Sequence, residues 1–265
     1  MLRYKYIPFT NNSLKIFSEG TIKYSIPSKV NDPFDCFPVH KGDDSEEFVK
    51  SRPDLMQKAS RIRKININKL LRENPASRIQ DVKENGTFSR ELSDRVGICS
   101  LTRDPLNLLM WSHYAQSHAG FVVEFNIPEE TYNPRFTPRQ IARHLFPFEV
   151  YYQLKRPIVC FNDDVGEQVD KQFLTKSLVW KYEQEERVVD FARGSGIHTF
   201  NQNVLRSVFA GANIDKSDFD DLGKEINSLN AQKGLHVSLH KVELDPKKYE
   251  LFIPTRPDLA QTHFQ

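Results

Sequence analysis

Two glutamates and an arginine alternate in the segment WKYEQEERVV, from Trp180 to Val189. Glutamate and arginine are good helix formers, but the Val-Val-Asp-Phe that follows favours a strand over residues 182–191. On a strand, Glu183, Glu185 and Arg187 share one face, because side chains alternate with a period of two. Such a row is either a solvated strand face with weak ion pairs or the floor of a site with a general base and a charge-stabilising carboxylate.

A second group of residues suited to chemistry is the basic run from Lys50 to Arg72, in which Asp54 is the only acid. A charge run of this kind is commonly a solvated helix surface. The alternative is that these side chains bind successive phosphates along a nucleic-acid backbone. The residues concerned are Lys50, Arg52, Lys58, Arg61, Arg63, Lys64, Lys69 and Arg72.

Composition predicts one globular domain with an elaboration. The 265 residues are 38% hydrophobic, and 37 Lys and Arg balance 35 Asp and Glu, so the overall charge indicates neither a nucleic acid nor a membrane partner. No stretch has the length of a signal peptide or of a membrane-spanning helix, which predicts a soluble cytoplasmic protein. Cys36, Cys99 and Cys160 form no CxxC pair, so we expect buried thiols, without a zinc knuckle or a disulfide framework.

The elements that must position these residues follow from hydrophobic periodicity. Strands are predicted at 2–7, 21–27, 96–102, 121–125, 148–154, 182–191, 205–211, 236–244 and 249–253, and helices at 11–20, 104–115, 167–180 and 217–229. Asp104 is the expected N-cap of the second helix, and residues 128–147 are expected to be irregular. The fold class is therefore α+β, with a mixed twisted sheet, flanking helices and a basic helical insertion at about 42–95.

Other chemical signals fail on geometry. His236 and His240 have the spacing of zinc ligands on a helix, but their segment alternates like a strand, which separates them by roughly 13 Å. The chain has neither a GxGxxG loop nor a GxSxG motif. We therefore expect no metal and no hydrolase nucleophile.

Four motifs resemble a widespread bacterial family of unknown function. They are YKY at 4–6, NDPFD at 31–35, LMWSHYAQSHAGFVVEF at 109–125 and K-x3-W-x-YE-x-E-x-R at 176–187. In addition, the order of the predicted elements resembles ADP-ribosyltransferases. Those folds open with strand, helix and strand, and they carry a Glu-x-Glu or Gln-x-Glu motif on a later strand, as 183–185 does here.

The second resemblance implies that NAD is the substrate. Glu185 would bind the nicotinamide ribose and stabilise the positive charge that develops on the sugar, while Glu183 would orient or deprotonate the acceptor. Trp111, His113 and Tyr114 have two alternative roles: they stack on a planar ring of the ligand, or they are part of the core. NDPFD is either a ligand contact or a turn whose side chains bond their own backbone. The expected cofactor-binding residues are Tyr4, Lys5, Tyr6, Asn31, Asp32, Ser100, Trp111, His113, Tyr114 and Arg187.

Three functional hypotheses remain. The first is an ADP-ribosyltransferase toxin or phage-defence effector that modifies a macromolecule, RNA or DNA, and is restrained by an antitoxin-like protein. The second is a non-catalytic module that binds nucleic acid or protein. The third is a metal-dependent nuclease that uses Asp32, Asp35, Glu183 and Glu185.

Overall fold

The computed structural model describes residues 1–41, 45–129, 137–160 and 163–259. The chain divides into two compact units. The first unit contains Met1–Ser25, Val96–Val150 and Val179–Gln265, and the second contains Ile26–Arg95 and Tyr151–Leu178.

The described elements are short strands and helices. The strands are β1 (Leu2–Ile7), β2 (Thr21–Tyr24), β3 (Val39–His40), β4 (Gly97–Thr102), β5 (Phe121–Asn126), β6 (Phe148–Glu149), β7 (Tyr151–Gln153), β8 (Ile158–Val159), β9 (Thr175–Ser177), β10 (Glu185–Asp190), β11 (Gly196–Thr199), β12 (Leu205–Ala210), β13 (Ser238–Lys241), β14 (Glu243–Leu244) and β15 (Leu251–Phe252). The helices are α1 (Lys15–Ser18), α2 (Ser45–Ser51), α3 (Pro53–Arg63), α4 (Ile67–Arg72), α5 (Pro75–Glu84), α6 (Thr87–Ser93), α7 (Leu108–Tyr114), α8 (Pro138–Arg143), α9 (Val165–Phe173) and α10 (Lys216–Lys233).

The first unit is built on a sheet with the strand order β13-β12-β5-β1-β4-β10-β6. Neighbouring strands are antiparallel except β12 and β13, so the sheet is mixed, and the expected α+β class is confirmed. The N-terminal strand β1 lies in the middle, with Tyr4 opposite Thr102 of β4 and Glu124 of β5. The sheet therefore brings together strands that are far apart in sequence.

Alternation along the strands gives the sheet two buried faces. One face carries a core that includes Phe17, Phe121 and Val188, with Leu222 of α10. The opposite face carries Tyr4, Tyr6 and Phe209, which pack with Trp111 of α7. The strands β5 and β10 are buried on both sides, so polar residues within them are buried too, whereas β1 alternates, with Tyr4 and Tyr6 buried and Arg3 and Lys5 partly exposed.

The segment around the paired glutamates differs from the prediction. A strand over 182–191 is wrong at its start: a 3-10 helix spans Leu178–Glu183, and β10 begins only at Glu185. Gln184 between them has a φ of 44°, a left-handed conformation that a strand cannot accommodate. Glu183 and Glu185 therefore do not share a strand face.

Two predicted helices also differ at their ends. Asn107, and not Asp104, caps α7, because the Asn107 side chain accepts from the backbone amides of Leu109 and Met110. The helix expected over 167–180 ends at Phe173, and β9 follows it. In the region expected to be irregular, α8 begins behind a Thr137–Gln140 capping box, while 130–136 lie outside the described residues.

The second unit contains the helices α2 to α6, in the region where a helical insertion is expected; residues 42–44 are outside the described ranges. Two parallel strand pairs, β3 with β8 and β7 with β9, complete it. Gln172 of α9 ties it together by donating to the carbonyl of Cys36 at 2.7 Å and the hydroxyl of Ser89 at 2.9 Å. Among the described residues, no helix has the length and apolarity needed to cross a membrane.

Candidate active site

A cleft of about 440 Å³ lies in the first unit, at the carboxyl end of β1. Its walls come from β1 and the loop after it, from α1, from β2 and from the end of α7. Nine of its lining side chains carry a polar group, and none is acidic. The lining is Lys5, Tyr6, Ile7, Pro8, Thr10, Asn12, Ser13, Ile16, Thr21, Ile22, Lys23, Ser25, Tyr114 and Ile197.

Lys5 and Lys23 give the cleft a positive charge. The amino group of Lys5 donates to the carbonyl of Ser100 at 3.0 Å, and Lys23 is exposed. Within the described parts of the chain, neither lysine forms an ion pair. A cleft with two uncompensated cations and several hydroxyl groups is suited to an anionic ligand, such as the phosphates of a nucleotide.

One residue in the wall of the cleft, Tyr114, is hydrogen-bonded to a buried carboxylate. The hydroxyl of Tyr114 donates to Glu183 Oε1 at 2.7 Å, and Glu183 is only 2% exposed. The 3-10 turn that carries Glu183 is fixed at its backbone, since Thr102 donates to the carbonyl of Glu183 at 2.6 Å and Asn107 to that of Tyr182 at 3.1 Å. Tyr114 therefore connects Glu183 to the cleft.

The second predicted carboxylate, Glu185, is bound to Arg187. The guanidinium makes two bonds to it, at 2.8 and 2.9 Å, and both residues are at most 4% exposed. Opposed charges compensate each other in such a buried pair. Glu185 pairs in register with Thr102, which pairs with Tyr4; neither Glu185 nor Glu183 is itself part of the cleft lining, and Glu183 is bonded to a lining residue, Tyr114.

The aromatic residues divide between core and surface. Trp111 is fully buried, and its indole donates to the carbonyl of Pro105 at 2.8 Å. Of the two roles expected for it, Trp111 therefore has the one in the core, and its ring is not open to a ligand. Tyr6 contacts the cleft, and its hydroxyl donates to the carbonyl of Asp104; burial raises its pKa. His113 is exposed and lies 3.3 Å from the hydroxyl of Tyr182.

The other predicted residues lie elsewhere. Ser100 contributes its carbonyl to Lys5, and Tyr4 is buried beneath α7. Asn31 and Asp32 belong to the second unit. There, the side chain of Asp32 accepts from the backbone amide of Phe34 at 2.9 Å, which is the kind of bond expected if NDPFD forms a turn. The predicted nucleic-acid residues from Lys50 to Arg72 are also in the second unit.

Sequence reasoning missed a buried ionic cluster around Glu124 of β5. Arg256 approaches the Glu124 carboxylate with both amino groups, at 3.0 and 3.1 Å, while Tyr4 donates to it at 3.3 Å and Arg206 lies 3.6 Å away. Burial and the Glu124 charge raise the pKa of Tyr4. The available signal was a glutamate within the apolar run FVVEF, since a charge on a buried strand requires a partner.

Sequence reasoning also missed most of the cleft. Thr10, Asn12 and Ser13 were not among the predicted site residues, and the helix predicted at 11–20 begins only at Lys15, without a side-chain cap. No sequence pattern joins this loop to β2, because the two meet only in the folded chain. Across the described ranges, no three or more His, Cys, Asp or Glu residues are grouped to hold a metal ion.

Comparison with known proteins adds a partial family match. Searches against curated proteins and solved structures gave no match. Residues 110–188, which include most of α7, all of β5 and the Glu183–Arg187 segment, match a family model described as Protein of unknown function (DUF2971). Over that part, the chain is similar to a family of unknown function, in keeping with the expectation of such a family; the motifs at 4–6 and 31–35 lie outside the matched residues.

Proposed function

We propose that the protein is an NAD-dependent ADP-ribosyltransferase that binds NAD in the cleft of the first unit. The observation that carries the proposal is the hydrogen bond from Tyr114, in the wall of a cationic cleft, to the buried carboxylate of Glu183. The strand, helix and strand that open the chain form this cleft, at the place where the resemblance in layout leads us to expect NAD.

The charge distribution suits that substrate. Lys5 and Lys23 would bind the pyrophosphate, and the hydroxyl groups of the loop after β1 would bind ribose. In the transfer, the bond between the ribose C1′ and the nicotinamide nitrogen breaks, and nicotinamide leaves with the electron pair. The acceptor then forms a bond to C1′ and gives up its proton.

Glu183 is the carboxylate we assign to this step, because its hydrogen-bond partner borders the cleft. A fixed anion stabilises the positive charge that develops on the sugar, and it can also accept the proton of the acceptor. Glu185 is assigned a positioning role, since its charge is already compensated by Arg187.

The test is to incubate the purified protein with NAD labelled in the adenosine half, together with RNA, DNA or cell extract. Release of nicotinamide and transfer of label are measured for the native protein, Glu183→Gln, Tyr114→Phe and the control Glu243→Gln. We expect Glu183→Gln to lose at least ~100-fold in rate, Tyr114→Phe to lose about 10-fold, and the control, an exposed glutamate, to match the native protein.

Two results would overturn the proposal. One is the absence of nicotinamide release from the native protein with every acceptor, which would favour the non-catalytic binding module. The other is full activity of Glu183→Gln combined with loss of activity in Glu185→Gln at unchanged stability, which would return the catalytic role to Glu185.

A further inference from the structure

We infer that the second unit binds the phosphate backbone of nucleic acid through the helical hairpin formed by α3, Lys64–Asn66 and α4. Its backbone is well defined locally. Lys64, with a φ of 52°, ends α3 in the left-handed conformation, and the side chain of Asn66 caps α4 by accepting from the amide of Asn68. Met56 and Leu70 are the buried side chains of the two helices, so the remaining residues can face outward.

Ion pairing divides the eight basic residues of this region. Lys50, Arg52 and Arg63 are bound to Glu46, Asp54 and Glu73, respectively. The other five form no ion pair with any residue that the structure describes, and all five are exposed. These five, the exposed cations of the hairpin, are Lys58, Arg61, Lys64, Lys69 and Arg72.

The spacing of these cations places them side by side. Lys58 and Arg61 are three residues apart on α3, as Lys69 and Arg72 are on α4, and residues three apart are neighbours on a helix surface. Lys64 lies at the turn between the two pairs. The hairpin thus carries five exposed cations, of which, among the described residues, only Lys69 interacts with a nearby carboxylate, that of Glu73, and this arrangement complements a polyanion.

The chemistry favours nucleic acid over a lipid surface. Helices that lie on membranes need a broad apolar face with aromatic residues. Neither α3 nor α4 contains an aromatic residue, and the exposed apolar side chains are Ile62 and Leu71, one on each helix. Without aromatic side chains to stack on bases, the hairpin would contact phosphates, so binding should be independent of sequence.

Binding of nucleic acid by the hairpin does not depend on catalysis. The further statement that this nucleic acid is the acceptor of ADP-ribose rests on the proposed function. Affinity is therefore measured without NAD, by fluorescence anisotropy with a labelled single-stranded RNA and a duplex DNA of mixed sequence over a series of salt concentrations. If each of the five cations neutralises one phosphate, log K falls with log salt with a slope of roughly −3.5 to −4.5.

The decisive variant is Lys58→Gln, Arg61→Gln and Lys64→Gln together, which removes three charges at little cost in helix propensity. We expect affinity to fall at least ~10-fold and the salt slope to lose about 2 to 3. The matched control removes three exposed lysines of the first unit, Lys216, Lys224 and Lys247, and should bind as the native protein does. Lys69→Gln with Arg72→Gln tests α4 separately, and thermal unfolding confirms that each variant is folded.

The inference is overturned if the control weakens binding as much as the hairpin variant does, since the effect would then be one of net charge. It is also overturned if the native protein binds neither nucleic acid at low salt, or binds only vesicles that contain phosphatidylserine. Glu183→Gln should bind nucleic acid with native affinity, so failure of the transferase proposal and failure of this one give different results.

Discussion

Replacing Arg256 by methionine tests the view that the cluster around Glu124 holds the C-terminal segment onto the sheet. Glu124 is fully buried, and Arg256 supplies its two closest cationic contacts, at 3.0 and 3.1 Å. Removing one partner of a buried pair costs about 3 to 5 kcal/mol. Because Tyr4 and the half-exposed Arg206 stay beside Glu124, we expect the low end, about 3 kcal/mol.

The assay is urea unfolding at neutral pH, followed by tryptophan fluorescence. Both tryptophans, Trp111 and Trp180, belong to the first unit, so the signal reports the unit that contains the cluster. With an m-value of about 3 kcal/mol per molar, the midpoint should fall by about 1 M. Arg206→Met removes an exposed charge and should cost less than about 1 kcal/mol.

A double-mutant cycle with Glu124→Gln separates the ion pair from packing. Once Arg256 is methionine, Glu124→Gln removes an uncompensated charge and should restore part of the lost stability, whereas in the native protein it should destabilise. A loss of less than about 1 kcal/mol for Arg256→Met, or equal effects of Glu124→Gln in both backgrounds, would refute the reasoning.

Three further predictions concern the cleft and its surroundings. Gly120→Ala should cost at least about 2 kcal/mol in urea unfolding, because the new Cβ would lie 2.3 Å from the carbonyl of Ile7; Gly223→Ala, with its nearest neighbour at 3.8 Å, should stabilise α10 by about 0.5 kcal/mol. Lys23→Met should weaken NAD binding about 10-fold in calorimetry without changing the urea midpoint, and an unchanged affinity would place the pyrophosphate elsewhere. Burial lowers the pKa of His118, so its imidazole binds a proton more tightly in the unfolded chain than in the folded one, and the free energy of unfolding should fall as pH drops below about 6.5. His118→Gln should make the free energy of unfolding less dependent on pH between about pH 7.5 and 5.5. The same pH dependence in the variant and the native protein would contradict this prediction.

The sequence predicted several of the central strands. The residues LRYKYI, GICSLT and LRSVFA form β1, β4 and β12 as expected: Leu2, Tyr4 and Tyr6 alternate along β1, while β4 and β12 are short runs of mostly buried residues. Gln184 shows the limit of this reasoning. Nothing in EQE indicates a left-handed residue, and that single φ moves Glu183 off the strand and next to Tyr114.

The candidate site was predicted only in part. Lys5, Tyr6 and Tyr114 were expected to bind a cofactor, and the fold brings all three to one cleft. The position of Lys23 in the cleft and the pairing of Arg256 with Glu124 could not be predicted, because they depend on contacts between segments that no local pattern relates. Trp111 illustrates the opposite error, since an aromatic side chain at helical spacing fits a core as well as a ligand.

The central place of β1 has a consequence for how the protein is made. The strands on either side of it, β4 and β5, begin at Gly97 and Phe121, so β1 leaves the ribosome long before either neighbour exists. At about 5 to 20 residues per second, the interval before β4 emerges is roughly 5 to 20 s. Throughout it, β1 has two open edges and exposed tyrosines, which places the aggregation hazard in translation, before the native state has formed.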